Sequence, residues 1–433
     1  MLATGTLGPL QSCDKRINMV PANSIATLNQ QSWDISVATE PLPYAIGEET
    51  DEQLSQRYKT ILADNFKRLD LDCDTAAITL SGGYDSRAIL MTLRNRKGLR
   101  SISVAPDSNS PLSTRSIVSK LADHFDVPID YVRRDRSQRP AKDVIRTFLI
   151  ASEGRIDGIS GYNDGFEFWK NIRNNGINAV LCGDEVFGWK SFETFGEVKH
   201  RLGVCRLAEY ENLPDLDSLG LKDVEFPAGL DPRPGESPCS WSGRVYMDFR
   251  VSLTLASRVD CKSRYVEILN PLMTSDMIRL ARVLPDHLRE FKKLAVDAIT
   301  ELSPDIPFNS SVTHDGKYRD AKNSDMPFWS NTDTVDYINR QLGSESASKL
   351  FPAAFLDFLS TRPIAKTGKQ KNMKKALKVF LARNAPVFIR RIYLGLKQKQ
   401  NIRPTISMDL LAFRALIVVE MVTMLGSAPD TSK

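Results

Sequence analysis

The residues best suited to chemistry form the run Ser81-Gly82-Gly83-Tyr84-Asp85-Ser86, which follows the apolar stretch Ile78-Thr79-Leu80 and leads into Arg87-Ala88-Ile89-Leu90. Paired glycines remove the side chains that would keep a phosphate away from backbone N–H groups, and a helix beginning beside them turns its positive end toward an anion. Ser81 and Ser86 can donate hydroxyl protons to phosphate oxygens, and the Asp85 carboxylate suits Mg²⁺. Type by type this is an anion nest, read here as a cradle for pyrophosphate. No Gly-Lys-Ser or Gly-Lys-Thr follows, so it is not the lysine-bearing P-loop. Without a ligand, the same residues would make only a glycine turn between a strand and a helix.

About a hundred residues further on, Ile177-Asn178-Ala179-Val180-Leu181-Cys182 reads as a buried strand and ends in Gly183-Asp184-Glu185-Val186-Phe187-Gly188-Trp189. Taken alone, this run is first a strand-to-helix turn with Asp184 as the N-cap. In a parallel sheet the two strand ends meet, which brings Gly183 to the phosphates and sets Asp184 opposite Asp85. One or two carboxylates, with phosphate oxygens and water, are the usual shell of Mg²⁺.

These loops need elements to hold them. Leu54, Tyr58, Ile61, Leu62, Phe66 and Leu69 recur at three and four residues and predict an amphipathic helix over 51–69. It runs into a strand at 76–80, followed by a helix at 86–96, a strand at 99–105, a helix at 112–125 and a strand at 129–132. Helices at 140–153 and 163–175 precede the strand at 177–182. Strands alternating with helices predict an α/β fold with a parallel sheet and ligands at the carboxyl ends of its strands. Residues 213–240, rich in proline and glycine, predict a long loop, and the chain beyond 245 reads as mainly helical. Residues 1–50, with prolines at 9, 21, 41 and 43, predict short strands or irregular connections.

From Leu80 to Ser86 the sequence resembles the PP-loop ATP pyrophosphatases, and Leu-Ser-Gly-Gly-x-Asp-Ser is most similar to the synthetase domain of the asparagine synthetase family. The run from Gly183 resembles that family's Gly-x-Gly-x-Asp-Glu-Leu-Phe-Gly-Gly-Tyr signature. Val266-Glu267-Ile268-Leu269-Asn270-Pro271-Leu272-Met273 resembles its Val-Glu-x-Arg-x-Pro-Phe-Leu-Asp segment, with Leu269 and Thr274 where the family has Arg and Asp. The resemblance covers roughly residues 50–330. It implies an adenine nucleotide alpha hydrolase-like PP-loop domain over 51–345 and a helical extension over 346–433. It implies ATP and Mg²⁺, adenylation of a carboxylate, and amide formation with ammonia or an amine. Glu267 becomes the candidate to hold or deprotonate that amine, although as a residue it is nearly as readily an ion-pair partner. Ser103 and Val104 become candidate adenine contacts at a strand end. The family also neutralises the leaving pyrophosphate with a loop lysine, and Lys317 and Lys322 are the candidates here. One departure stands out: where some members carry Glu or Tyr three residues before the Asp, this chain has Leu181.

Full-length members of that family carry an N-terminal glutaminase whose cysteine nucleophile is exposed when Met is removed, whereas residue 2 here is Leu. Residues 5–30 resemble the last strands of such a domain, so residues 1–50 are expected to be its remnant. Glutamine hydrolysis is then not expected from this chain alone, and the nitrogen would come from ammonia, a separate glutaminase or a substrate amine. The acceptor is a small-molecule or peptide carboxylate. Lasso-peptide and β-lactam-type cyclases, which share the domain, use an internal amine. A catalytically silent homologue serving as a binding subunit is the reading from another class.

With 433 residues, 42% apolar and 26% charged, the chain can bury one large core or two ordinary ones. Six cysteines without C-x-x-C spacing and four histidines argue against a zinc site or disulfide framework and fit a reducing cytoplasm. There is no signal-peptide pattern, and no apolar run reaches the ~20 residues of a membrane span. Net charge is +5, yet the segment 362–403 holds thirteen Lys or Arg and no Asp or Glu, leaving the rest of the chain net acidic. A solvated helix face is the default reading of that segment, and contact with an acidic peptide or an anionic membrane surface the sharper one. No nucleic-acid-binding module accompanies it. The apolar stretch 406–425 is interrupted by Asp409, Arg414 and Glu420, and reads as a docked core helix.

Overall fold

The computed structural model describes residues 1–8, 11–14, 16–40, 47–104, 114–132, 134–184, 186–187, 192, 194–225, 230–302, 328–361 and 404–426. Lys317, Lys322, Glu185 and the basic segment 362–403 lie outside the described residues.

A hairpin of β1 (Ser24–Leu28) and β2 (Ile35–Thr39) comes first, antiparallel and exposed along both strands. The main sheet follows: β3 (Ala76–Thr79), β4 (Arg100–Ser103), β5 (Ile129–Tyr131), β6 (Ala179–Leu181) and β7 (Glu267–Leu269), in the order β5-β4-β3-β6-β7. All four pairings are parallel, and one row of the register runs Ile129–Ser101–Ile78–Leu181–Leu269. The fold is α/β, as the alternation of elements predicts. The chain passes from β3 to β4 on one side and later places β6 on the other. This reversal opens a crevice at the carboxyl ends of β3 and β6, the place where such sheets bind ligands.

Both faces of the sheet are covered at its centre, where β3 and β6 are nearly all apolar rather than alternating, whereas β4, β5 and β7 carry polar residues. Ala76, Ile78 and Leu181 point into one core, with α1 (Asp51–Lys67), α2 (Tyr84–Leu93), α3 (Thr114–Phe125) and the helices Ser275–Val283 and Lys293–Leu302. Ala77, Ile102 and Val180 point into the other, with α4 (Ala141–Ser152), α5 (Glu167–Asn174), Thr332–Leu342 and Met408–Gly426. α1 starts in a capping box between Thr50 and Gln53 and buries Leu54, Tyr58, Leu62 and Phe66 on one stripe. Each such side chain contributes roughly 2 kcal/mol of burial, so α1 is held by its packing more than by its helix propensity.

The apolar stretch 406–425 does form a docked helix, Met408–Gly426, and the charges that interrupt it are paired. Arg414 Nε donates to Asp157 Oδ2 at 2.7 Å and its Nη1 to the Leu2 and Ala3 carbonyls at 3.0 and 2.9 Å. Glu420, 1% exposed, accepts from Tyr337 Oη and from Arg146 Nε at 3.0 Å. No described helix is long and apolar enough to cross a membrane.

Two local expectations are revised. The predicted loop over 213–240 ends early, because Ser237 caps a helix Pro238–Val245 with proline at its first turn. That helix continues as a π-helical stretch, Tyr246–Leu255, whose Met247 packs with Val186 and Phe187 of the second run. Inside the stretch expected to be mainly helical, Glu267–Leu269 adds a fifth strand to the sheet.

Candidate functional site

β3 is the central strand, and Ala76, Ala77 and Ile78 are fully buried. Its chain leaves the carboxyl edge through Leu80 and enters α2, which buries Ala88, Ile89, Leu90 and Leu93 against the sheet. The loop between them is therefore anchored at both ends. Ser81 and Ser86 staple it: their hydroxyls lie 3.0 Å apart, Ser86 Oγ accepts from Ser81 N at 3.1 Å and donates to Ser81 O at 3.2 Å. Ser86 is buried and Ser81 exposed, so only the second can meet a ligand without rearrangement. Gly83 is the N-cap of α2 in extended backbone and supplies no side-chain cap, which leaves the first turn of N–H groups to other partners.

The two glycines answer little in the chain's own packing. A Cβ on Gly82 would meet Ile117 no closer than 3.7 Å, and one on Gly83 only Ser81 Oγ at 3.3 Å. Neither residue lies in the left-handed region. Gly82 is buried and Gly83 half-buried, so of the pair it is Gly83 whose bare backbone lies nearer the surface.

Gly183 differs. β6 is hydrogen-bonded to β3, Thr79 Oγ1 donates to Leu181 O at 3.1 Å, and the chain beyond Cys182 then runs against the start of α2. A Cβ on Gly183 would sit 2.8 Å from Ser86 N and 3.0 Å from Asp85 Cβ. The parallel sheet thus brings the two runs together, as their sequence positions suggest. Asp184, half-buried, is the next residue. It does not cap a helix: the next described helix, Phe195–Leu202, takes Thr194 as its N-cap. Leu181 is fully buried in the core, so no base or positioning group stands at that position. Cys182 is nearly buried too, and desolvation raises its thiol pKa, with Lys262 opposing and Asp184 adding to the rise.

Other expected residues are spread more widely. Ser103 ends β4, 2% exposed, and Val104 follows, 39% exposed; Leu80 N donates to Ile102 O, so both lie along the carboxyl edge that holds the loop. Glu267 begins β7, pairs with Ala179 and is exposed. That is two residues, about 6–7 Å along the strand, before the carboxyl end, and no contact joins it to the loop among those described.

One residue at the site was not expected. Lys292 reaches the loop from between the helices Asp286–Arg289 and Lys293–Leu302, and its Nζ lies 2.9 and 2.7 Å from the two carboxylate oxygens of Asp85. The pair is 207 positions apart in sequence, and nothing in the local pattern Glu290-Phe291-Lys292-Lys293 marks one lysine over the other. Beside it, Arg87 is 1% exposed with its guanidinium 5.6 Å from the Tyr84 ring centroid, and burial lowers its pKa.

The arrangement fits a phosphate chain with a divalent ion. Gly83 offers half-exposed backbone without a side chain, α2 offers its positive end, and Asp85 offers a carboxylate in the first turn of that helix. Among the described residues no three metal-binding side chains of His, Cys, Asp or Glu come together. An ion here would rest on one or two carboxylates and on the phosphates that arrive with it. Compared with known proteins, the chain matches no protein-family model and no curated protein sequence.

Proposed function

We propose that this chain is an ATP-dependent, AMP-forming amidoligase of the asparagine synthetase type. The observation that carries the reading is the contact of Gly183 with the backbone of Asp85 and Ser86, which puts both sequence runs at one crevice. A substrate carboxylate oxygen attacks the α-phosphorus of ATP and pyrophosphate leaves, giving an acyl-adenylate. Ammonia or an amine then adds to the acyl carbon, AMP departs and a proton is released, forming the amide.

In this scheme the N–H groups after Gly82 and Gly83 bind the departing pyrophosphate oxygens, where negative charge accumulates. Ser81 donates a further hydrogen bond. Asp85 and Asp184 would hold Mg²⁺, which when bound neutralises the phosphates. Ser103 and Val104 would border the adenine, and Glu267 would have to act on the amine from the β7 edge. A separate glutaminase or free ammonia is the proposed nitrogen source, and a peptide or metabolite carboxylate the acceptor.

The catalytically silent reading has observations of its own: Leu181 is buried where a base would stand, and Glu267 lies apart from the loop. Incubation with ATP, Mg²⁺, a panel of carboxylates and either ammonia or a tethered amine separates the readings. Stoichiometric AMP and pyrophosphate support the ligase, and their absence across aspartate and peptide carboxylates supports the binding subunit. Product formed from a single molecule carrying both carboxylate and amine would identify a cyclase.

A further inference from the structure

A two-stranded ribbon is marginal in water, and a third strand or a packed face is what makes one stable. The hairpin of β1 and β2 has neither among the described residues: every residue of β2, and every residue of β1 except Ser24, is exposed. Its register sorts the side chains by face. Ala26 pairs with Val37 and Leu28 with Ile35 on one face, while Ile25 pairs with Ala38 and Thr27 with Ser36 on the other. The first face is the more apolar, and its Leu28, Ile35 and Val37 are 45%, 70% and 47% exposed. Residues 24–39 hold a single charge, Asp34 in the turn, and no proline. The lysines, prolines and inward charges that keep exposed strands from associating are therefore missing.

The turn adds an observation of a different kind. Asn29 builds it: its Oδ1 accepts from Gln31 N at 2.9 Å and Ser32 N at 3.2 Å, its carbonyl accepts from Trp33 N at 2.7 Å, and its N–H donates to Asp34 O at 2.8 Å. This closure holds Trp33 at φ 59°, a left-handed position that suits glycine or asparagine. A tryptophan is strained there, and with its side chain 75% exposed little packing within the chain offsets the strain. An exposed aromatic kept at such a position points to a contact outside the chain.

We propose that this hairpin is a self-association surface: a second copy of the chain packs the same Ala26, Leu28, Ile35 and Val37 face against it about a two-fold axis, with Trp33 as the anchor at the tip. Charge and area select a second copy as the occupant. The face is uncharged, so it offers no ion pair to a charged partner and sets no like charges against each other when it meets itself. At their exposures these four residues and Trp33 present about 500 Å² on each copy, or about 1,000 Å² in all, which is the lower end of what holds a dimer together. Stacking the faces about 10 Å apart leaves the outer edges of both strands in water, where their backbone groups stay hydrogen-bonded. A lipid surface would strip those edges of partners. The proposal is independent of the chemistry assigned to the crevice.

The test is sedimentation equilibrium of the full chain over a wide concentration range, beside Trp33→Gly, Ile35→Lys and Ile25→Lys, each first checked for cooperative thermal unfolding. Glycine suits the turn, so Trp33→Gly removes the aromatic without straining the backbone. The natural chain is expected to pass reversibly from monomer to dimer, with a dissociation constant in the micromolar range. A two-fold axis applies each change twice, so Ile35→Lys is expected to weaken the dimer by about a hundredfold and Trp33→Gly by about tenfold or more. Ile25→Lys, at a site 71% exposed on the opposite face, is expected to stay within about threefold of the natural chain. A dimer that Ile35→Lys and Trp33→Gly leave intact, or that Ile25→Lys weakens as much as Ile35→Lys does, would overturn the proposal. So would a chain that is monomeric at every concentration; if that monomer sediments with phosphatidylcholine vesicles and Trp33→Gly does not, the hairpin serves a lipid surface instead.

Discussion

Gly82 and Gly183 look alike in sequence and should respond to the same substitution in opposite ways. A methyl group on Gly183 would lie 2.8 Å from Ser86 N and 3.1 Å from Asp85 C, both backbone atoms that cannot swing aside. Restoring an ordinary contact of at least 3.4 Å requires the end of β6 and the start of α2 to part by about 0.6 Å. Overpacking of this kind typically costs about 1–3 kcal/mol, so Gly183→Ala should lower the unfolding free energy by that amount, read as a lower urea midpoint at unchanged slope. Displacement of this size also degrades a catalytic geometry, so activity should fall further than stability alone predicts. Gly82→Ala meets nothing inside 3.7 Å and needs no unusual backbone, so its stability should stay within about 1 kcal/mol of the natural chain. Its pyrophosphate binding should nonetheless drop by roughly 1.5–3 kcal/mol, or about tenfold or more, if the glycine exists to let phosphate reach backbone N–H groups. The reasoning is refuted if Gly82→Ala binds pyrophosphate normally, or if it unfolds as readily as Gly183→Ala.

Other consequences are independent of the ligand. Phe291→Gly should raise stability by about 1 kcal/mol in chemical unfolding, because glycine adopts the left-handed φ without a Cβ clash and the lost side chain is half exposed. Arg414→Met should cost about 3 kcal/mol or more by the same assay, since it strands the Asp157 carboxylate and two backbone carbonyls near the first residues of the chain. Burial raises the thiols of Cys205, Cys239 and Cys261 from 9.0 to about 11, so the unfolded chain gives up these protons first. Stability should hold below pH 9 and decline as pH rises toward 11, and Cys239→Ala should shallow that decline in a pH series of thermal melts.

The sheet was legible because its strands carry the local signal that burial on both faces demands. Ile78 and Val180 sit in unbroken apolar runs bounded by turn residues, and α1 repeats at helical spacing. The loop after β3 was legible for a different reason: glycine, hydroxyl and carboxylate types concentrate within six residues. β7 was missed because three residues, Glu267-Ile268-Leu269, show neither alternation nor an apolar run, and only the neighbouring β6 makes them a strand. Lys292 was missed because its meaning lies in a contact across 207 positions. Its left-handed backbone follows from the packing of the two flanking helices and leaves no trace in residue type. Glu267 shows the converse, a residue singled out by its neighbours in sequence whose place at the start of an edge strand depends on register.

The most direct test of the central claim is isotope exchange between pyrophosphate and ATP, which reports cleavage between the α and β phosphates without needing the amine. The account predicts Mg²⁺-dependent exchange that appears only with the right carboxylate, disappears in Asp85→Ala and Asp184→Ala, and survives Glu267→Gln. Carboxylate-dependent release of ADP and phosphate instead, or exchange that persists in the two aspartate variants, would contradict it.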